Sequence, residues 1–559
     1  MKVLLQIAIF TCFHTLIAQV DIKNGNFHVS FTDASFQDSG GAIDQLTRTY
    51  NSKSTEIGWF GYGWGTKLES TLYMYPDYAV LLKEHGAGGK TLFKSTFQDE
   101  QLAIDMIELI IDLQLENNLL DNNPSSIAEL RKQLGDPDNR YQYYDKLVDK
   151  ELVDPIMEVP EGIVWQSFDR GDQQLTYANN LFLRTSRSGL KESFNLDGQL
   201  IKMEDKNGNF TEVFYENGFP KRIKNKNGYS INITTNEDGL ITSLKTSAKN
   251  DEDATYKYVN QNLIYSRGTR FYQYKYEYDA LHNMTATIYN PVRFVGEDED
   301  KRVIEYWPKS SFTKRIIERD SVIKNYSYQY YIDQNGARDD LHYSTTVNTN
   351  YPDDKNDETV TYEYFIGIKA DGSQYTQKII TTTNGITSSS IYDEACSYQP
   401  IRIEEGDLWT TFVYDRNCNM IEKEKSTGEY LKLKHHPTLK KMIEVQQDDN
   451  LFVYDYDDKA NLIYARKNDE DAMYLTYDED GHMDTMTNGD KTLTFEYNSK
   501  GKPIKIMMKD IGMVNVIYKS NGAIERVESP DGHRMALQIT MAFQNLIAVT
   551  KPANLDYNL

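Results

Sequence analysis

The chain has 559 residues, with 61 Lys and Arg against 84 Asp and Glu and a formal net charge of −23. So acidic a chain offers no basic stripe to a phosphate backbone, which excludes nucleic acid as a partner. Beyond residue 18 no apolar run approaches the roughly 20 residues that a spanning helix needs, so no transmembrane segment is expected in the mature chain.

Residues 1–18 combine Lys2, an apolar run through Ile17, and Ala18 before the polar Gln19. These are the parts of a secretory signal peptide, and cleavage after Ala18 predicts export to the periplasm, the cell surface or the medium. Tyrosine outnumbers phenylalanine, 41 to 22, a bias toward half-buried strands that carry a polar tip, so the expected class is all-β.

Residues 19–96 alternate strand-like runs with Gly, Asn and Asp turns and are read as an N-terminal β domain. Its segment Gly58-Trp59-Phe60-Gly61-Tyr62-Gly63-Trp64 interleaves glycines with large rings. Trp59, Phe60, Tyr62 and Trp64 have two readings: a plug closing one end of a β structure, or a ring-stacking site for sugars. Burial is the commoner fate of such rings, and the plug leads. The stretch His85-Gly86-Ala87-Gly88-Gly89-Lys90-Thr91 lacks the leading glycine of a phosphate loop, having Glu84 there, and runs on into a strand; it reads as a glycine turn.

Residues 97–155 break the β pattern. Ala103, Met106, Ile107, Ile110 and Leu113 fall at helical spacing, Ser126-Ile127-Ala128-Glu129 after Pro124 has the form of a capping box, and Gly135 stands where a helix stops. A helical insertion of two or three helices on the β body is expected.

From residue 156 to 532 the chain repeats itself. Phe194, Tyr215, Thr235, Tyr258 and Tyr278, then Tyr392, Tyr414, Lys434, Tyr454, Tyr477, Tyr497 and Tyr518, recur at intervals of about 20 residues. Gly198, Gly239, Gly481, Gly501 and Gly522 follow their anchors by a fixed step and Gly218 by one less, and apolar residues come next. Each unit therefore reads strand, tight turn, strand, with positive φ at the glycine. Residues 290–390 keep the strand composition and lose the strict period, which predicts longer hairpins or insertions. Cys396 and Cys418 occupy turn positions where other units have glycine. Equivalent turns on successive hairpins should lie about 9.6 Å apart, beyond the roughly 7 Å reach of a disulfide, while export favours oxidation; bonded and free thiols both stay open.

Tyr278-Asp279, Tyr414-Asp415, Tyr454-Asp455 and Tyr477-Asp478-Glu479-Asp480-Gly481 resemble the YD repeats of Rhs/YD-repeat proteins. Arg48-Thr49-Tyr50-Asn51-Ser52, followed by the Gly58 to Trp64 segment, resembles the N-terminal domain that precedes those repeats in the family. The resemblance implies a long β-sheet coiled as a hollow spiral shell, with the N-terminal region helping to plug one end. In toxin-bearing members the shell encloses a C-terminal toxin released at a core segment rich in Asp-Pro and Gly. No such segment occurs here, and the residues after Gly532 are too few for a folded effector. Residues 533–559 read instead as a capping segment that seals the sheet.

Sites of chemistry are not evident. There is no Gly-x-Ser-x-Gly or His-Glu-x-x-His, and the nine His are scattered. Asp478, Asp480 and Asp484 could gather around a calcium ion, but a solvated turn explains them. No catalytic residue, metal ligand or cofactor is expected. The expected function is a non-enzymatic exported scaffold that binds a protein or carbohydrate partner at the cell envelope. Two alternatives remain: the shell of a toxin-delivery system with separately encoded cargo, and a glycoside-active enzyme with a carboxylate pair about 5 to 9.5 Å apart.

Overall fold

The computed structural model describes residues 19–36, 41–84, 88–95, 100–148, 150, 152–153, 159, 162–167, 173–186, 188–248, 251–270, 272–290, 300–352, 357–370, 373–396, 399–509, 511–518, 524–530 and 532. The expected signal segment, the capping segment 533–559 and Gly522 lie outside the described residues.

The chain begins with a four-stranded antiparallel sheet: Gln19–Asp21, Asn26–Ser35, Gln45–Asn51 and Trp64–Thr66. In Asn26–Ser35 the alternate residues Phe27, Val29 and Phe31 are buried, the period-two pattern of a half-buried strand. The register against Gln45–Asn51 shifts between Thr32 and Ala34. Asp33 is the extra residue of this bulge, which turns it inward.

The second body is one antiparallel sheet of 36 strands, from Thr71–Met74 to Ile524–Glu528, in which each strand pairs with its neighbour in sequence. The fold class is thus all-β with a long coiling sheet. Residues 71–95, grouped by sequence with the N-terminal domain, form the first three strands of this sheet: Ser95 stands opposite Trp165 across the helical insertion. The chain passes from the first sheet to the second at the short 3-10 turn Lys67–Glu69. Among the described residues no ladder joins Ile524–Glu528 to Thr71–Met74, so the sheet is an open spiral and not a barrel. The free edge of Thr71–Met74 instead meets a later turn of the coil. Thr71 bridges Gln199, the Leu72 N–H donates to the Gly198 carbonyl at 2.9 Å, and the Leu200 N–H donates to the Ser70 carbonyl at 3.3 Å.

The repeat has a defined hydrogen-bond logic. The hydroxyls of Tyr278, Tyr414, Tyr477, Tyr497 and Tyr518 donate to the carbonyls of Leu263, Pro400, Leu462, Met483 and Pro503 at 2.7 to 2.9 Å. Each of these carbonyls lies at the start of the preceding strand. Phenylalanine would pack there and leave that carbonyl without its partner, which explains the tyrosine excess. The residue after the tyrosine holds the turn: the Asp415 carboxylate accepts from the backbone N–H of Asn417 and Asn419, both at 2.9 Å. This is Asx-turn chemistry.

Two units are out of register with the sequence reading: one has His435, and not Lys434, at the position after the ladder's shift, and the other uses a different Tyr-Asp pair. Its Tyr-Asp pair is Tyr456-Asp457 and not Tyr454-Asp455: the Tyr456 hydroxyl reaches the Met442 carbonyl at 2.8 Å, and Asp457 accepts from the Asn461 N–H at 2.7 Å. Residues 323–383 carry the longer hairpins, with strands Ile323–Ile332, Arg338–Asn350, Glu358–Ile368 and Gln374–Thr383 of 10, 13, 11 and 10 residues.

The first strands of the spiral are buried on both faces. Leu72, Met74 and Leu82 pack inward with Phe27, Phe31 and Trp64 of the N-terminal sheet. Tyr73, Tyr75 and Leu81 point outward into a second core with Met106, Ile110, Leu130 and Tyr144 of helices α1 (Glu100–Glu116), α2 (Pro124–Gln133) and α3 (Pro137–Val148). The cap of α2 is Asn123, whose side chain accepts from the Ser126 N–H at 2.9 Å, with Pro124 in the first turn. Ser126 is not the cap, because a proline at the first helical position fixes the start one residue before it.

Candidate functional site

The two quoted N-terminal motifs meet against strands of the long sheet. Arg48 is fully buried and donates through Nε to the Asp33 carboxylate at 2.8 Å. Its Nη2 donates to Ser266 Oγ at 2.7 Å and to the Tyr276 hydroxyl at 2.8 Å, on strands of the long sheet. The guanidinium also lies 4.5 Å from the Trp64 ring and 4.8 Å from Phe31. Burial pushes the Asp33 carboxyl up, an effect Arg48 only partly offsets. Removing two ions from water costs several kcal/mol each, so the pair persists through its hydrogen bonds and stacked rings.

The neighbouring residues continue the attachment. Tyr50 donates its hydroxyl to the His282 carbonyl and accepts from the Met284 N–H, each at 2.9 Å. Trp64 is 2% exposed and its Nε1 donates to the Tyr278 hydroxyl at 2.9 Å. Phe60 is fully buried against Tyr256. The half-buried Trp59 meets Tyr215 edge-on, and Tyr62 stacks on the His282 ring at 4.2 Å between centroids. The backbone joins as well: the Ile241 N–H donates to the Trp59 carbonyl at 2.8 Å and the Tyr62 N–H to the Gln261 carbonyl at 2.9 Å. Gly61 makes the latter approach, with φ of +100° and only 2.4 Å between a would-be Cβ and the Gln261 oxygen. All four rings are engaged by the long sheet or buried.

Glu69 fixes the same segment from behind. It is 6% exposed and accepts from the Trp59 and Thr66 backbone N–H groups. Burial pushes its carboxyl up to about 8 against those donors, and Glu56 adds to the rise.

Other residues singled out by sequence are dispersed. Asp478 caps its own turn and Asp480 pairs with Lys226 at 3.0 Å, tying two hairpins 254 residues apart. Among the described residues no three His, Cys, Asp or Glu side chains converge as a metal site would require. Cys396 and Cys418 form a disulfide with a Cα separation of 5.4 Å. The spacing argument against it assumed equivalent turns two strand spacings apart; these two cysteines stand closer than that. A further feature carried no motif: a cleft of about 400 Å³ beside the exposed Trp307, lined by Glu277, Lys301 and Glu305.

Residues 18–89 match a family described as a domain of unknown function, DUF6531. None of the curated proteins matches the chain. Among solved structures, that of TcdB2-TccC3-Cdc42 is similar at 9% identity and a TM-score of 0.41, covering 90% of this chain and 27% of that one. The Photorhabdus luminescens Tc holotoxin pore is similar at 10% identity and a TM-score of 0.38, covering 91% of this chain and 32% of that one. A TcdB2-TccC3 structure gives 9% identity and 0.37, covering 90% and 30%. This chain spans about a third or less of the chains it resembles.

Proposed function

We propose that the chain is an exported scaffold of the YD-repeat type, which binds a protein or carbohydrate partner at the cell envelope and performs no chemistry on it. The observation that carries this reading is the anchoring of the N-terminal segment: Arg48, Tyr50 and Trp64 reach Ser266, Tyr276, Tyr278 and His282 across more than 200 residues of chain, bonding the two sheets to each other. Two bonded sheets with a large outer surface suit the holding of a partner. The acidic net charge of −23 directs that surface away from anionic polymers and toward neutral or basic partners. The test is affinity capture from the native envelope followed by mass spectrometry, with N-terminal sequencing of the recovered chain. A recurrent partner and a chain starting at Gln19 support the reading; a cytosolic protein starting at Met1 contradicts it.

A second reading, a container for a separately encoded polypeptide, is supported by the long open coil of 36 strands. Co-expression with the product of a neighbouring gene tests it: a cargo that resists protease only in the presence of this chain supports the container.

A further inference from the structure

Tyr215, Tyr258, Tyr306 and Tyr328 keep the repeat's hydroxyl-to-carbonyl bond but are followed by Glu216, Val259, Trp307 and Gln329 in place of Asp, and of these four residues Trp307 is the aromatic one. Tyr306 is a repeat tyrosine, since its hydroxyl donates to the Met284 carbonyl at 3.0 Å. The residue after it, where the turn following Tyr278 places the capping Asp279, is Trp307. The indole does nothing for the turn. Capping passes to Ser310, whose Oγ donates to the Trp307 carbonyl at 3.0 Å and accepts from the Phe312 N–H at 3.2 Å. The Trp307 ring is 40% exposed, has Lys314 Nζ 5.6 Å from its centroid, and forms one wall of the cleft of about 400 Å³. Ala286 and Val303 line that cleft together with the polar Glu277, Lys301 and Glu305.

The geometry points to a carbohydrate-binding site at this cleft, for a neutral oligosaccharide. An exposed indole offers a flat apolar face to the C–H face of a pyranose ring. The two carboxylates accept from sugar hydroxyls, and the lysine donates to them. The volume lies toward the small end of ligand pockets and suits one or two sugar rings. A neutral ligand fits best because acidic and basic side chains share the rim, so neither sign of charge is favoured.

This deepens the scaffold reading, on which it rests, by naming the partner class and its place. The probes are cellopentaose, maltopentaose, chitopentaose and mannopentaose, titrated into the full chain by calorimetry and tryptophan fluorescence. The informative variant is Trp307→Asp, which restores the residue the repeat uses elsewhere and should leave the melting temperature unchanged or raised; Trp307→Phe keeps a smaller ring. The expected result is binding of at least one probe at about millimolar affinity or tighter, weakened about tenfold or more in Trp307→Asp and less in Trp307→Phe. No binding to any probe up to about 10 mM, binding unchanged in a folded Trp307→Asp, or Trp307-dependent capture of an envelope protein in place of a saccharide would each overturn the proposal. If a probe is bound and also cleaved, the cleft stands and the scaffold reading falls, so the two failures are distinguishable.

Discussion

Replacing Arg48 by Met should detach the plug without unfolding the spiral. The variant leaves Asp33, 1% exposed at its side chain, without the ion it faces at 2.8 Å. Breaking a buried pair in this way costs about 3 to 5 kcal/mol, and the lost cation–π contact with Trp64 belongs to that sum. Ser266 and Tyr276 retain a hydrogen bond to each other at 3.0 Å, so they add little. Asp33 already has a raised carboxyl pKa and will rise further without Arg48. The folded variant then holds a proton that the unfolded chain releases near pH 4, so the variant's deficit should be smaller at pH 5 than at pH 8. In a chain of this size a single unfolding free energy is not well defined, so the readout is hydrogen exchange of residues 26–66 against that of the long sheet. A second variant, Arg48→Met with Asp33→Leu, removes both charges and should recover most of the protection. A loss below about 1 kcal/mol in the single variant, or a double variant no better protected than the single, would refute the ion pair as the anchor.

Three further outcomes are expected. Glu69, with its carboxyl raised from 4.5 to about 8, should make plug protection fall as pH climbs through that window, because the folded state holds a proton the unfolded state has released; the slope is at most about 1.4 kcal/mol per pH unit, and Glu69→Gln should flatten it in the same exchange experiment. Gly481→Val places a β-branched residue at φ of +85° with its Cβ about 2.1 Å from the Asn207 side chain, so thermal unfolding should show a loss of at least about 1 kcal/mol, and an unchanged curve would contradict the turn register. The disulfide closes a separation of 22 residues and should contribute about 3 kcal/mol, so a reductant should lower the melting temperature of the parent and leave that of a Cys396→Ser, Cys418→Ser variant unmoved.

The hairpin repeat was legible in the sequence because each unit is local: a tyrosine, its turn and the carbonyl it reaches lie within about 15 residues, as Tyr477 and Leu462 do. The slip at Tyr454 has a simple cause. Tyr454 and Tyr456 are both followed by Asp, and a shift of two residues keeps every side chain on its own face of a strand. That residues 71–95 share a sheet with the strands after the helices was not legible, because the strands on the two sides look alike; only their pairing, Ser95 against Trp165, assigns them to one sheet. The Arg48 site was out of reach for a different reason. Its partners Asp33, Ser266 and Tyr276 come from three separate strands, and a bulge at Asp33 breaks the alternation that would have placed it. Trp307 lay in plain view within the stretch that loses the strict period, but its meaning depends on knowing that Tyr306 keeps the repeat's hydrogen bond.

The most direct measurement of the central claim is incubation of the purified full chain with native envelope material, followed by mass spectrometry of both the bound and the released fractions. The account predicts an intact partner in the bound fraction and no new products in the released one. Released fragments whose formation is abolished by substitution of one Asp or Glu would contradict it and make the protein an enzyme.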